Sequence, residues 1–142
     1  MERAIKSLIY LDKWDIIEFN HNLIAEYGGV FWGDDNLKNP GSLEWVLDAI
    51  QYPLFGTEQY STITQKAAML GWVINEGHVF HDGNKRTSTF SVLVFLGING
   101  YSLNATFDEL IEISELIANC KISSYSIEQY ISWIGDKLVQ VD

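Results

Sequence analysis

Apolar residues recur at spacings of three and four along most of this chain, and that spacing predicts helices. Six segments carry the pattern, and polar or glycine-containing stretches separate them. Because side chains three and four positions apart share one face of a helix, each segment has a face suited to a common core. The chain is therefore predicted to be all-α, with about six helices in a single domain over residues 1–142. Ahead of the first helix, Ile5, Leu8 and Ile9 are expected to cover part of the core.

Polar capping residues mark where most of these helices begin. Three segments open with a capping box, in which a short polar side chain and a residue three positions later bond each other's backbone N–H groups. The three pairs are Asp12 with Asp15, Thr106 with Glu109, and Ser126 with Gln129. Ser61 or Thr62 can cap the third helix. Asn39 followed by Pro40 is typical of an N-cap with proline in the first turn, and Gly28-Gly29 ends the first helix.

The fourth segment, from about Asn84 to Asn99, is apolar almost all round in its middle. A helix without a polar face is usually buried, so this one is predicted to be the central helix. In the third segment, the small residues Ala67, Ala68 and Gly71 would let another helix approach closely. The last segment repeats apolar residues from Ile127 to Leu138 and is predicted to be helical over that length.

Two segments lack a helical period. Residues 30–41 are a loop by composition, and Asp34-Asp35 within them is either a metal-binding pair or a solvated turn. Residues 51–60 contain a proline and a glycine, and a small strand pair is one option there. That segment has three aromatic residues, Tyr52, Phe55 and Tyr60. They either tuck into the core or form a flap over a site.

Composition narrows the classes of function. The chain is 47% hydrophobic and 20% charged, as expected of a globular protein. Its net charge of −10 argues against nucleic acid as a partner, because such binding rests largely on neutralising phosphates. No apolar run has the length of a membrane-spanning helix, and the first residues lack a signal-peptide pattern, so no membrane partner is expected. The single Cys120 allows no internal disulfide, which fits a cytoplasmic protein.

One polar stretch, His78 to Thr87, interrupts the apolar pattern between the third and fourth helices. Lys85 and Arg86 fall in the first turn of the fourth helix, where the partial positive charge of a helix N-terminus disfavours cations. A bound anion removes that conflict, because the free N–H groups and both cations would face it. Asp82, just outside the helix, can hold a divalent cation against the same anion. His78 lies beside this predicted phosphate–metal site as a candidate base.

General motifs fit the same stretch less well. A P-loop needs a preceding strand and a glycine directly before the lysine, and neither is present. His78 and His81 have the spacing of a metal pair on a helix, but glycines bracket them in a loop. His81-Asp82 resembles the doublet of HD-type phosphohydrolases, which would also require His21 and Asp108. His21, off the apolar face of the first helix, is otherwise predicted to be a partly buried structural histidine.

The stretch resembles the core motif of the Fic/Doc family, H-x-F-x-[DE]-[AG]-N-[GK]-R, and every defined position is filled. Those positions are His78, Phe80, Asp82, Gly83, Asn84, Lys85 and Arg86. The match is closest to the Doc (death-on-curing) branch, which has Lys after the Asn, followed by Arg-Thr. Tyr27-Gly28-Gly29 and Asn39-Pro40-Gly41 resemble two further stretches of that branch, so the resemblance covers about residues 12–135.

The resemblance implies a role for each of these residues. His78 is expected to be the general base that takes the proton from a target hydroxyl, and Asp82 the catalytic Mg²⁺ ligand. Phe80 is expected to anchor the loop to the core. The expected nucleotide-binding residues are Gly83, Asn84, Lys85 and Arg86. Gly83 and Asn84 would form the anion nest, with Asn84 holding either the loop or a phosphate. The two cations would be catalytic as well, because they contact the phosphates.

One position departs from the adenylylating Fic enzymes, which usually carry a second Arg three residues after the first. This chain has Thr89 there. The departure argues against adenylyl transfer and against self-inhibition by a glutamate paired with that Arg. It agrees with the Doc branch, which binds the nucleotide reversed and transfers the terminal phosphate.

The resemblance implies a toxin of a bacterial toxin–antitoxin pair. Its expected reaction is transfer of the γ-phosphate of Mg-ATP to a Ser or Thr hydroxyl of a host protein, such as the translation factor elongation factor Tu. Its expected partner is a Phd-like antitoxin whose C-terminal segment lies in a groove of the toxin. Fic-type nucleotidyl transfer to a protein hydroxyl is the first alternative. A catalytically inert binding module is the second.

Overall fold

The computed structural model describes residues 7–141, so Ile5 of the predicted lead-in lies outside it. Within that range the chain forms seven α-helices and one two-stranded antiparallel sheet. The helices are α1 (Lys13–Tyr27), α2 (Pro40–Gln51), α3 (Ile63–Glu76), α4 (Asn84–Ile98), α5 (Phe107–Ala118), α6 (Cys120–Ser123) and α7 (Ile127–Lys137). The all-α prediction is confirmed, and the short α6 adds one helix to the six predicted. In this part of the chain no helix is both long enough and apolar enough to cross a membrane.

Hydrogen bonds at the caps confirm the predicted helix starts. Asp12, Thr62, Thr106 and Ser126 each accept the backbone N–H of the residue three positions later. In each case the side chain of that later residue bonds the backbone N–H of the cap in return. Caps of this kind each stabilise a helix by about 1 kcal/mol. Thr62, and not Ser61, is therefore the cap of α3.

Helices α3 and α4 form the centre of the molecule. α3 packs against α2, α4, α5 and α7, and α4 also packs against α1. Gly71 permits this packing, because a Cβ there would lie 2.6 Å from Val92 Cγ2 and 2.9 Å from the Tyr130 hydroxyl. The Ser88 hydroxyl donates to the Gly71 carbonyl at 2.6 Å. Burial raises the pKa of the Tyr130 hydroxyl, which therefore stays neutral between these helices.

The prediction that the last helix continues to Leu138 is wrong. α7 ends at Lys137, and Leu138 begins β2 (Leu138–Gln140). This strand pairs antiparallel with β1 (Tyr101–Leu103), so that Leu138 lies opposite Leu103. Both leucines are half-buried against the core. Leu138 has the apolar side chain that the helical spacing predicted, but it lies in a strand.

The segment at 51–60 contains one β-bridge in place of the suggested strand pair. Leu54 and Thr57 exchange two backbone hydrogen bonds, at 2.9 and 3.0 Å. The two residues between them have positive φ angles, as in the tight turns of hairpins. Phe55 at the tip is 96% exposed, and Tyr52 is exposed as well. Tyr60 packs against the core, as the first alternative predicted, whereas Tyr52 and Phe55 do not.

Candidate active site

The polar stretch between α3 and α4 forms a sharply turning loop. α3 ends at Glu76, and Gly77 follows it with an ordinary φ of −74°. Glycine is required at this position because a Cβ would lie 2.3 Å from the Val73 carbonyl oxygen. The chain turns at His78, whose φ of 46° lies in the left-handed region. It turns again at Gly83, with a φ of 78°, directly before α4.

Asn39 holds the backbone of His78 in this turn. Asn39 occupies the N-cap position of α2, but its side chain makes no cap hydrogen bond. Its amide nitrogen donates instead to the carbonyls of Gly77, at 3.1 Å, and His78, at 2.9 Å. The predicted position of the cap is confirmed, while its predicted bonding is wrong. The His78 side chain remains exposed at the start of the loop.

Buried side chains and one amide clasp fix the middle of the loop. Val79 and Phe80 are fully buried in the core, so Phe80 anchors the loop as expected. The Phe80 N–H donates to Asn84 Oδ1 at 2.9 Å, and Asn84 Nδ2 donates to the Phe80 carbonyl at 2.8 Å. Of the two roles predicted for Asn84, the geometry matches the one that holds the loop.

The amino end of α4 lies at the surface beside this loop. Gly83 provides no side-chain cap. The backbone N–H groups of Asn84, Lys85 and Arg86 have no hydrogen-bond partner within residues 7–141. Unpaired N–H groups at a helix start carry partial positive charge and bind anions readily. The arrangement has the form of the predicted anion nest.

Lys85 and Arg86, in the first turn of α4, contact different neighbouring elements. Lys85 Nζ lies 2.8 Å from Glu115 Oε1 on α5. Arg86 donates to the Gly28 carbonyl at 3.3 Å, and its guanidinium lies 5.5 Å from the centre of the Tyr27 ring. Exposed contacts of this kind contribute little to stability and exchange readily. To contact a phosphate, Lys85 would weaken or break its ion pair with Glu115, and Arg86 its hydrogen bond to the Gly28 carbonyl.

Backbone N–H groups orient the carboxylate of Asp82. Gly83 N–H donates to Asp82 Oδ1 and Val30 N–H donates to Oδ2, both at 2.8 Å. Gly29 must lack a side chain, because a Cβ there would lie 3.0 Å from Oδ2 and its φ is 133°. Each carboxylate oxygen keeps accepting capacity beyond its one hydrogen bond. Asp82 thus fits a Mg²⁺ ion that draws its other ligands from phosphates and water. Over residues 7–141 no group of three His, Cys, Asp or Glu side chains could hold a metal by itself.

Two fully buried asparagines behind the loop complete the site, and no role had been predicted for either. Asn20 Nδ2 donates to the Asp82 carbonyl and to the Thr87 hydroxyl, both at 3.0 Å. Asn36 Nδ2 donates to Asn20 Oδ1 at 2.9 Å, and the His81 N–H donates to the Asn36 carbonyl at 2.9 Å. A signal for Asn20 was present in the sequence, because it is a polar residue on the apolar face of α1. Thr87, in the first turn of α4, also belongs to this network.

Three other polar residues considered from the sequence lie at the surface. Asp34 and Asp35 form a left-handed turn with Asn36, with φ angles of 58°, 59° and 62°. Asp and Asn tolerate this conformation better than most residues. Since both carboxylates are exposed and join no metal-binding group in the described range, the solvated turn is the better interpretation. His21 is also exposed, with its ring 4.6 Å from the Phe31 ring, so the prediction of partial burial is wrong.

Thr89 brings no charge to the site. It is half-buried and lines a small cavity between α4, α5 and α7, together with residues such as Leu93, Leu110 and Trp133. None of the side chains lining this cavity is charged. A nucleotide phosphate would therefore find no cation at position 89.

Comparisons with known proteins agree with the motif in this loop. Residues 10–96 match the model of the Fic/DOC family. The chain is 33% identical over 99 residues to "Toxin Doc" of Mycolicibacterium smegmatis, a match that covers 70% of this chain and 71% of that protein. It is 29% identical over 115 residues to "Protein kinase doc" of Escherichia phage P1, which covers 80% of this chain and 85% of that protein.

Proposed function

Because this chain belongs to the Fic/Doc family, we propose that it is a Doc-like toxin of a bacterial toxin–antitoxin pair, acting as a protein Ser/Thr kinase. Its reaction is transfer of the γ-phosphate of Mg-ATP to a Ser or Thr hydroxyl of a host protein. A translation factor such as elongation factor Tu is the proposed target, on the strength of the resemblance. The two relatives support the class, since one is named a toxin and the other a protein kinase.

The amino end of α4 is the single feature that most supports this reaction. It presents three N–H groups without a partner in residues 7–141, two exposed cations and the oriented carboxylate of Asp82 within a few residues of one another. The whole protein has a net charge of −10, so this concentration of positive charge is local. Such a site suits a polyphosphate anion far better than a neutral ligand. Magnesium, when bound at Asp82, would neutralise phosphate charge there.

His78 supplies the proton acceptor in the proposed mechanism. Its imidazole takes the hydroxyl proton of the target Ser or Thr while the oxygen bonds to the γ-phosphorus. The bond between the γ-phosphorus and the β,γ-bridging oxygen breaks, and ADP leaves. Lys85, Arg86 and the N–H groups of α4 stabilise the charge on the transferring and leaving phosphates. The buried asparagines hold the backbone of Asp82 and of the loop in position for this step.

Fic-type adenylyl transfer is the second candidate. It requires the α-phosphate at the anion nest and the β- and γ-phosphates held as a leaving group. Thr89 has no charge and lies among uncharged side chains, so it offers nothing to those phosphates. A catalytically inert binding module is the third candidate. The complete motif, with its oriented carboxylate and open helix end, argues against it.

An antitoxin is the proposed partner, with a disordered Phd-like C-terminal segment that folds onto a groove of the toxin. Exposed Tyr52, Leu54 and Phe55 on the 51–60 segment are proposed contributors to that groove. The charge of −10 favours a basic segment. Expression of the toxin alone should arrest bacterial growth, and co-expression of the antitoxin should restore it. Unaffected growth in several hosts would count against the toxin assignment.

Lys85→Ala is expected to lower ATP-dependent phosphorylation of target protein in a bacterial lysate by at least about 100-fold, because it removes a charge that stabilises the transferring phosphate. Lys137→Ala is the matched control. Lys137 also pairs with a glutamate, Glu109, at 3.0 Å, but lies on α7. The control protein should keep its full activity, and mass spectrometry of phosphorylated residues gives the measurement. Equal activity of both variants would exclude Lys85 from the phosphate site.

A further inference from the structure

Three consecutive apolar side chains are exposed in the loop that follows α1. They belong to Val30, Phe31 and Trp32. Exposed apolar side chains that adjoin one another commonly mark a surface that binds something. Trp32 is the largest of the three and is 59% exposed.

The backbone of Trp32 is fixed, although its side chain is exposed. The Trp32 N–H donates to Asn36 Oδ1 at 3.1 Å, and the Asn36 N–H donates to the Trp32 carbonyl at 3.0 Å. Asn36 is itself fully buried and bonded to Asn20. The backbone that carries the indole is therefore hydrogen-bonded, through Asn36, to the same buried network that holds the catalytic loop. A backbone that is already fixed lowers the conformational entropy lost when a ligand binds at this residue.

Trp32 lies next to the proposed phosphate site. The Val30 N–H that bonds Asp82 is two residues away, so the Cα atoms of Val30 and Trp32 are at most about 7 Å apart. The Trp32 ring lies 6.1 Å from the His81 ring. Both distances are shorter than an extended nucleoside triphosphate. A nucleotide with its phosphates at α4 can therefore reach the indole.

The direction of the chain separates Trp32 from the catalytic base. Residues 36–39 run antiparallel to residues 79–81: the His81 N–H bonds the Asn36 carbonyl, and the Asn39 N–H bonds the Val79 carbonyl. Trp32 precedes this pairing and adjoins its His81 end, whereas His78 is held at the other end. A nucleotide base at Trp32 would thus lie at the end of this pairing that is away from His78.

The neighbouring aromatic rings already have partners. The Arg86 guanidinium lies over Tyr27, and the His21 ring packs against Phe31 at 4.6 Å. Within residues 7–141 the one ring paired with Trp32 is that of His81, tilted by 55°, and Trp32 stays 59% exposed. Indole also offers the largest aromatic surface for stacking on a nucleobase.

We propose that Trp32 is the platform on which the adenine base of bound ATP stacks. This proposal rests on the proposed function, because it requires ATP phosphates at the amino end of α4. Because Trp32 adjoins that anion site, we expect a nucleotide base, and not an apolar peptide, to bind at its indole. The base would be held through its π-face, which every nucleobase has, so Trp32 would add affinity with little discrimination between bases.

Isothermal titration calorimetry of the whole chain with Mg-ATP and with magnesium tripolyphosphate tests the proposal. Trp32→Ala is expected to weaken Mg-ATP binding by about 10-fold or more, since it removes the stacking surface. Tripolyphosphate has no base, so its affinity should not change. Trp32→Phe should recover much of the ATP affinity. Trp14→Ala is the matched control, because Trp14 is also 59% exposed but lies at the start of α1.

The outcomes separate this proposal from the function on which it rests. Wild-type binding of ATP together with unchanged ATP affinity in Trp32→Ala would overturn the role of Trp32 and leave the kinase proposal standing. Equal loss of ATP and tripolyphosphate affinity in that variant would also overturn it, because Trp32 would then act through the shape of the loop. Wild-type protein that binds neither ligand would overturn both proposals. A higher KM for the protein target with unchanged ATP affinity would assign the surface to the target.

Discussion

Replacing His78 with glycine is expected to lower the rate of phosphate transfer by about 100- to 10,000-fold without unfolding the protein, because a positioned general base contributes about that much to the rate. The variant removes the imidazole proposed to take the hydroxyl proton. It also removes a Cβ from a residue whose φ of 46° is unfavourable for side chains. Glycine adopts that conformation freely but adds flexibility to the unfolded chain, so the two effects on stability nearly cancel. The free energy of unfolding should stay within about 1 kcal/mol of wild type.

The test measures transfer rate, thermal unfolding and ATP affinity on the same protein. His81→Gly is the control, since His81 is the other exposed histidine of the loop. Its structural contact is a backbone N–H bond to Asn36, which glycine retains. This control should keep most of its activity. A His78→Gly protein with wild-type activity would show that the general base is another group.

Replacing Asn20 with alanine should lower the free energy of unfolding by about 1–3 kcal/mol, because a buried polar group left without a partner costs about that much. The change would leave the buried Thr87 hydroxyl without its side-chain partner, while the Asp82 carbonyl and the Asn36 amide nitrogen would keep only their bond to each other, at 3.3 Å. It should also weaken Mg-ATP binding, because the Asp82 backbone loses a bond that fixes its position. Chemical denaturation and calorimetric titration measure the two effects.

Asn75→Ala is the matched control for Asn20→Ala. Asn75 is an almost fully buried asparagine on α3, and its amide donates to the Ser114 carbonyl at 3.0 Å. Its replacement should cost stability but leave Mg-ATP affinity at the wild-type value. The same loss of affinity in both variants would mean that the binding site responds to stability in general and not to the asparagine network.

Local rules explain why much of the fold could be predicted. Capping boxes act over three residues, so Asp12, Thr106 and Ser126 reveal their helices without any tertiary information. The closeness of α3 and α4 follows from Gly71, whose missing side chain has no other evident use. The motif loop was located from its polar residues between two apolar segments, and Gly83 within it adopts a left-handed φ of 78° directly before α4.

The remaining features depend on contacts between distant parts of the chain. Strand β1 pairs with a partner more than 30 residues later, and no local pattern distinguishes Leu138 in that strand from another turn of α7. The ion pair between Lys85 and Glu115 joins two helices in the same way. Asn39 is a third example. Its sequence context predicts a side-chain cap, but its amide donates to the carbonyls of Gly77 and His78, which are distant in sequence.

The most direct test of the proposed chemistry asks which phosphate of ATP reaches the target protein. Wild-type protein is incubated with Mg²⁺, a bacterial lysate and ATP labelled at either the α- or the γ-phosphate. Asp82→Ala protein serves as the inactive comparison, because it lacks the proposed Mg²⁺ ligand. Label from γ-phosphate is expected on a protein Ser or Thr, and label from α-phosphate is expected to be absent. Stable transfer of α-label by the wild type would contradict the kinase assignment and establish nucleotidyl transfer in its place.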